Sequence, residues 1–199
     1  MLKKHQKLGI MYEYRSATRE EKHPDLQKAF EILESLPDSC LTALQKSTFH
    51  FIFFDGPLTS QPEAKEYKET AHHATDREGK KIPFAMLRSL TITLTMRREN
   101  LYMILVGLTG TYHKDSGDLA RAILHECGHY IRRTHGITLD PDIAQGIQSD
   151  PTPYDLEEIF ADGFFMYCYD PRAHESLKKK YPKLFACVQR ALNTTIKKE

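Results

Sequence analysis

The stretch ILHECGHYIRR, from Ile123 to Arg133, constrains this chain more than any other. Leu119, Ala122, Ile123, Cys127 and Ile131 recur at helical spacing and predict an amphipathic helix over about residues 117–133. Gly128 lies inside that helix, where glycine costs about 1 kcal/mol relative to alanine. Close packing against a neighbouring wall is the physical reason to keep it there.

The same helix carries chemistry. His125 and His129 are four residues apart, so they share one face with Cβ atoms about 5–6 Å apart. Two imidazoles so placed reach one Zn²⁺ at about 2.0–2.1 Å. Glu126 follows the first histidine and reaches a metal-bound water without binding the metal, as a general base must. A third protein ligand is needed, and the residues offer two candidates. His135 lies ten residues after His125, the third-histidine spacing of the motif H-E-x-x-H-x-x-G-x-x-H. Arg132 stands at that motif's glycine, though, and lacks glycine's backbone freedom. No Met-turn follows, since Met166 sits in a helical pattern. The other candidate is Glu158, in YDLEEIFADGFFMYCYD. Glu158, Ala161 and Asp162 fall on one helical face. Glu158 would close the zinc tetrahedron, and Asp162 would hydrogen-bond the far nitrogen of a ligand histidine. Leu156, Ile159, Phe160, Phe164 and Tyr167 would anchor that helix. Glu157 is a rival ligand without an acidic partner four residues later.

Around these helices the chain reads as α+β. A helix is expected over residues 23–36, with Pro24 in its first turn. STFHFIFFD, residues 47–55, reads as a buried strand ended by Gly56-Pro57. Ser60 and Glu63 suggest a capping box opening a polar helix over about residues 61–74, which holds the adjacent His72 and His73. LRSLTITLTM (residues 87–96) alternates as a half-buried strand and pairs with LYMILVG (residues 101–107) in a hairpin. Residues 134–154 read as loop. Two further helical stretches are expected, about 155–169 and 171–196, the second broken near Tyr181-Pro182. The expected organisation is one domain over residues 1–199. It has an N-terminal helix and a small mixed or antiparallel sheet in about 20–110, and metal-site helices in about 117–199.

Composition narrows the partners. With 28 basic and 27 acidic residues the net charge is +1, so no basic excess points to nucleic acid. The run KKKYPK, residues 178–183, reads as a solvated helix face. No apolar run reaches a membrane span, and MLKKHQKLGIMYEYRS lacks the apolar stretch of a signal peptide. The chain as written reads as cytoplasmic, and a secreted protein already freed of its signal would look the same. Cys40, Cys127, Cys168 and Cys187 show no paired spacing.

EEIFADGFFMYCYDPRAHESLKKKYPKLFACVQ resembles the end of the catalytic domain in the family of anthrax lethal factor and the Pro-Pro endopeptidases, and ILHECGHY is similar to that family's metal helix. The resemblance covers residues 117–133 and 156–191. It implies a zincin-like domain and a gluzincin-type zinc peptidase. His125, His129 and Glu158 fall on the ligands, Glu126 on the base and Asp162 on the acid behind a ligand histidine. The family's catalytic tyrosine, seven residues before the ligand glutamate, is Pro151 here. Tyr154 is the nearest replacement as oxyanion donor, with Tyr112 and His135 as others. The expected function is a zinc endopeptidase acting on a peptide or protein. The competing reading is a zinc-binding regulatory or interaction module without proteolysis.

Overall fold

FHFIFF, from Phe49 to Phe54, is buried along its whole length and, among the described residues, forms the central strand of a five-stranded mixed sheet. A computed structural model describes residues 1–56, 61–63, 94–98, 101–108 and 116–193. The strands are β1 (Leu2–Lys4), β2 (Met11–Arg15), β3 (Phe49–Phe54), β4 (Leu94–Arg98) and β5 (Leu101–Gly107). Their order is β1-β2-β3-β5-β4. The inner pairs β2–β3 and β3–β5 are parallel, and the outer pairs are antiparallel. Parallel neighbours need a crossover. Helices α1 (Pro24–Glu34) and α2 (Asp38–Leu44) supply it between β2 and β3.

The expected β4–β5 hairpin is present, with Arg98 opposite Leu101 and Leu94 opposite Leu105. Its first strand is described from Leu94, so residues 87–93 of the expected strand lie outside the described residues. So do Ser60, Tyr112, His72, His73 and all but residues 61–63 of the expected polar helix. The sequence reading assigned no strands to the N-terminus, yet β1 and β2 form a hairpin there. Its turn needs Gly9 at φ +68°, a left-handed conformation that glycine adopts freely.

Alternation along β3 separates two apolar layers. Phe49, Phe51 and Phe53 join the main core beneath the helices, and Ile52 and Phe54 pack with Met103 and Leu105 in a smaller cluster. Helix α3 (Ser116–Thr134) crosses β4 and β5 and also meets α1. Its Tyr130, 1% exposed, lies 4.3 Å from the Phe49 ring and donates its hydroxyl to the Ala43 carbonyl at 3.0 Å. Burying one such large side chain contributes about 1.5–3 kcal/mol. These contacts leave the face of α3 that carries His125 and His129 turned toward α4 (Pro153–Tyr169), its most extensive neighbour among the described residues.

The start of α4 is set by a capping box. Asp155 N–H donates to the Thr152 hydroxyl, and Thr152 N–H donates to the Asp155 carboxylate. Pro153 takes the first helical position. Residues 134–154, expected as loop, contain a 3₁₀ turn (Pro141–Ala144) that buries Ile143 and Ala144. The C-terminal stretch is two helices, α5 (Pro171–Lys180) and α6 (Pro182–Asn193), broken at Tyr181 as expected. Lys178, Lys179 and Lys180 are exposed in the last turn of α5, where cations suit the helix dipole. Among the described residues, no helix is long and apolar enough to cross a membrane.

Candidate metal centre

Helices α3 and α4 run antiparallel and touch backbone to backbone. A Cβ added at Gly128 would lie 2.9 Å from Ala161 Cα and 3.0 Å from Phe164 Cβ. That is the close wall the interior glycine required. Because the helices meet there, side chains one turn either side of the contact converge.

His125 and His129 project from α3, and Glu158 from α4. His125 Nε2 lies 3.2 Å from His129 Nε2 and 3.2 Å from Glu158 Oε2. His129 Nε2 lies 3.4 Å from Glu158 Oε1. The edge of a tetrahedron with bonds of 2.0–2.1 Å is about 3.3–3.4 Å. The spacing of the two ring nitrogens matches that edge, and so do the histidine–carboxylate spacings, each to a different oxygen of Glu158. A carboxylate oxygen of Glu126 lies within 4.8 Å of a ring nitrogen of each histidine.

Asp162 Oδ1 accepts from His125 Nδ1–H at 3.0 Å and from Arg121 Nη2 at 3.4 Å. With its proton at Nδ1, His125 turns a lone pair toward Glu158. Lone pairs facing at such distances repel unless a proton or a metal cation lies between them. The titration behaviour has the same cause. Burial opposes a charge on His125, but the carboxylates of Asp162 and Glu158 outweigh it and push its pKa up to about 10. Burial likewise disfavours ionised Glu158, yet His125 and His129 hold its carboxyl well below the usual range. Asp162 is lowered too, with His125 and Arg121 outweighing its desolvation. The site is built to hold positive charge.

The other candidates fall elsewhere. Glu157 faces the C-terminal turn of α3, where Arg132 Nη2 donates to it at 2.6 Å and Arg133 Nη2 at 3.1 Å. His135 follows the end of α3, and its Nδ1–H donates to the Ala191 carbonyl at 2.7 Å. The helix runs through Arg132 without turning back, and ten residues at 1.5 Å each carry His135 about 15 Å along from His125. Tyr154 lies in the first turn of α4, one turn before Glu158, and is 59% exposed. Sequence reasoning used Arg132 only as the residue at the three-histidine motif's glycine and gave Arg133 and Arg121 no part. Their partners lie 24 to 41 residues away in sequence, so no local spacing announces them.

Among solved structures, the fold is similar to the Pro-Pro endopeptidase from Paenibacillus alvei, with a TM-score of 0.61 and 18% sequence identity. The match covers 89% of this chain and 96% of that one, so the two share one α+β arrangement. No protein-family model and no curated protein matches the sequence.

Proposed function

We propose that this protein is a zinc-dependent endopeptidase. One observation carries the reading: two imidazole nitrogens and a carboxylate meet at tetrahedral-edge distances beside a further glutamate. Two nitrogens with one oxygen suit Zn²⁺, whereas Mg²⁺ and Ca²⁺ take oxygen ligands. His125, His129 and Glu158 would hold the ion, while His135 lies beyond the end of α3 and donates to the Ala191 carbonyl instead. Once bound, zinc would polarise the scissile carbonyl and lower the pKa of a water to about 7.

The chain's own residues supply the rest. Glu126 takes the proton of the attacking water and returns it to the leaving amine. Asp162 keeps the His125 proton on Nδ1, which leaves Nε2 as a ligand. Tyr154 donates its hydroxyl to the developing oxyanion. Among the described residues strand β4 is a sheet edge, and it packs against α3, so an extended peptide can add to it as a further strand. The shared fold with an endopeptidase supports a peptide or protein substrate.

A second reading, a zinc-binding module without proteolysis, is favoured by one observation: the only tyrosine in the first turn of α4, Tyr154, is 59% exposed. Zinc content and cleavage together separate the readings. The native protein is expected to carry about one zinc per chain and Glu158→Ala little. Cleavage of a peptide library by the native protein, lost in Glu126→Gln at unchanged zinc content, supports the enzyme. Zinc without cleavage supports the module. No zinc in the native protein, even after adding it back, removes both.

A further inference from the structure

Two glutamates stand side by side on α4, and only one can face the metal helix. Consecutive helical residues point about 100° apart, and a slip of one residue moves a helix about 1.5 Å. Ligand distances at a metal hold to within about 0.2 Å. The close approach of Gly128 to Ala161 and Phe164 presses the helices together, and buried Leu156, Ile159, Phe160 and Phe164 turn the apolar face of α4 inward, but apolar burial is non-directional and does not by itself fix rotation or sliding at that scale.

Glu157 does resist both. Its two oxygens are gripped separately, Oε1 by Arg132 at 2.6 Å and Oε2 by Arg133 at 3.1 Å. Arg132 is itself tied down, because Nη1 donates to the Ile137 carbonyl beyond the helix end at 3.4 Å. The Arg132 and Glu157 side chains are only 19% and 28% exposed, so water and salt screen the pair less than a surface pair. At the opposite end of the contact, Asp162 binds His125 and Arg121. Glu158 lies between these two attachments.

We infer that Glu157, gripped by Arg132 and Arg133, is a positioning residue for the metal centre. It sets the rotation and register of α4 so that Glu158, and not Glu157, meets His125 and His129. The inference rests on the metal centre proposed above. Glu157 acts through Glu158 and touches no reacting atom. The grip also gives Arg132 a purpose at the position where a three-histidine site would need glycine.

The test compares the native protein with Glu157→Gln and Arg133→Lys, each stripped by chelator and shown to be folded by circular dichroism. Zinc affinity is measured by competition with a chromophoric chelator, and the ligand geometry by the visible spectrum of bound Co²⁺. For Glu157→Gln the zinc dissociation constant is expected to rise about 10–100-fold, the range for partners behind metal ligands. The Co²⁺ bands are expected to shift or weaken, which a loss of general stability would not produce. Arg133→Lys keeps the charge but loses the guanidinium geometry, and is expected to move both readouts in the same direction. It carries the test if Glu157→Gln does not fold. Native affinity and a native Co²⁺ spectrum in the folded variants overturn the inference. Glu158→Ala separates the two levels. If it loses zinc while Glu157→Gln binds natively, the inference alone fails. If the native protein binds no zinc, the metal centre fails and takes the inference with it.

Discussion

Replacing Gly128 with alanine tests the packing that brings the two halves of the site together. The new Cβ would sit 2.9 Å from Ala161 Cα, 3.0 Å from Phe164 Cβ and 3.3 Å from the Ala161 carbonyl oxygen. Ordinary carbon contacts are about 3.5–4.0 Å, so α4 must withdraw by about 0.5–1 Å. These neighbours are backbone or Cβ atoms and cannot swing aside. Helix propensity favours the substitution by about 1 kcal/mol. Overpacking opposes it by about 1–3 kcal/mol. The metal-free variant is therefore expected to lose about 0–2 kcal/mol of stability. The effect on metal is larger in proportion. Glu158 and Asp162 flank Ala161 and must move with it, and their displacement exceeds the roughly 0.2 Å that a metal site tolerates. Zinc affinity should fall at least about 10-fold, or about 1.4 kcal/mol. Thermal unfolding in chelator, followed by zinc titration of the same samples, measures both quantities. A variant more stable than native by about 1 kcal/mol, with native zinc affinity, would show that propensity alone operates. The close helix contact would then be refuted.

Two further outcomes are expected. The carboxylates of Asp162 and Glu158 place a proton on His125 with a pKa of about 10, above the ordinary 6.5. In the metal-free protein that proton contributes stability in full below about pH 6.5, and the contribution is lost as pH rises through about 10. Zinc must displace it, so affinity should rise about tenfold per pH unit between about pH 7 and 8.5, with about one proton released. Calorimetry in two buffers of different ionisation enthalpy reads the proton directly, and a pH-independent affinity would sink the argument. Tyr154→Phe should leave zinc content and KM nearly native while kcat falls about 10²–10³-fold, the cost of losing one oxyanion donor. An unchanged kcat assigns the oxyanion to another group.

The helix that carries His125 and His129 was legible because its information is local. The i, i+4 spacing of His125 and His129, and the stripe of Ile123, Cys127 and Ile131, follow from helical geometry alone. The same holds for the Tyr181 break ahead of Pro182, for β3, and for the β4–β5 hairpin, where short-range pairing closes a short loop. The close neighbour demanded by Gly128 could be inferred from one residue, although its identity could not.

Tertiary structure decided what depended on distant partners. The hairpin of β1 and β2 carries short, weakly patterned strands, and β2 gains its place only by lying parallel to β3, with Tyr12 opposite Phe51. Whether the sheet was mixed or antiparallel followed from that pairing. The choice among His135, Glu157 and Glu158 was likewise open by spacing alone. The structure puts Glu157 with Arg132 and Arg133, and His135 on the Ala191 carbonyl, while Glu158 lies beside His125 and His129. Helical periodicity says which residues share a face of one helix. Which face meets another helix, and at what register, is set by contacts between segments dozens of residues apart.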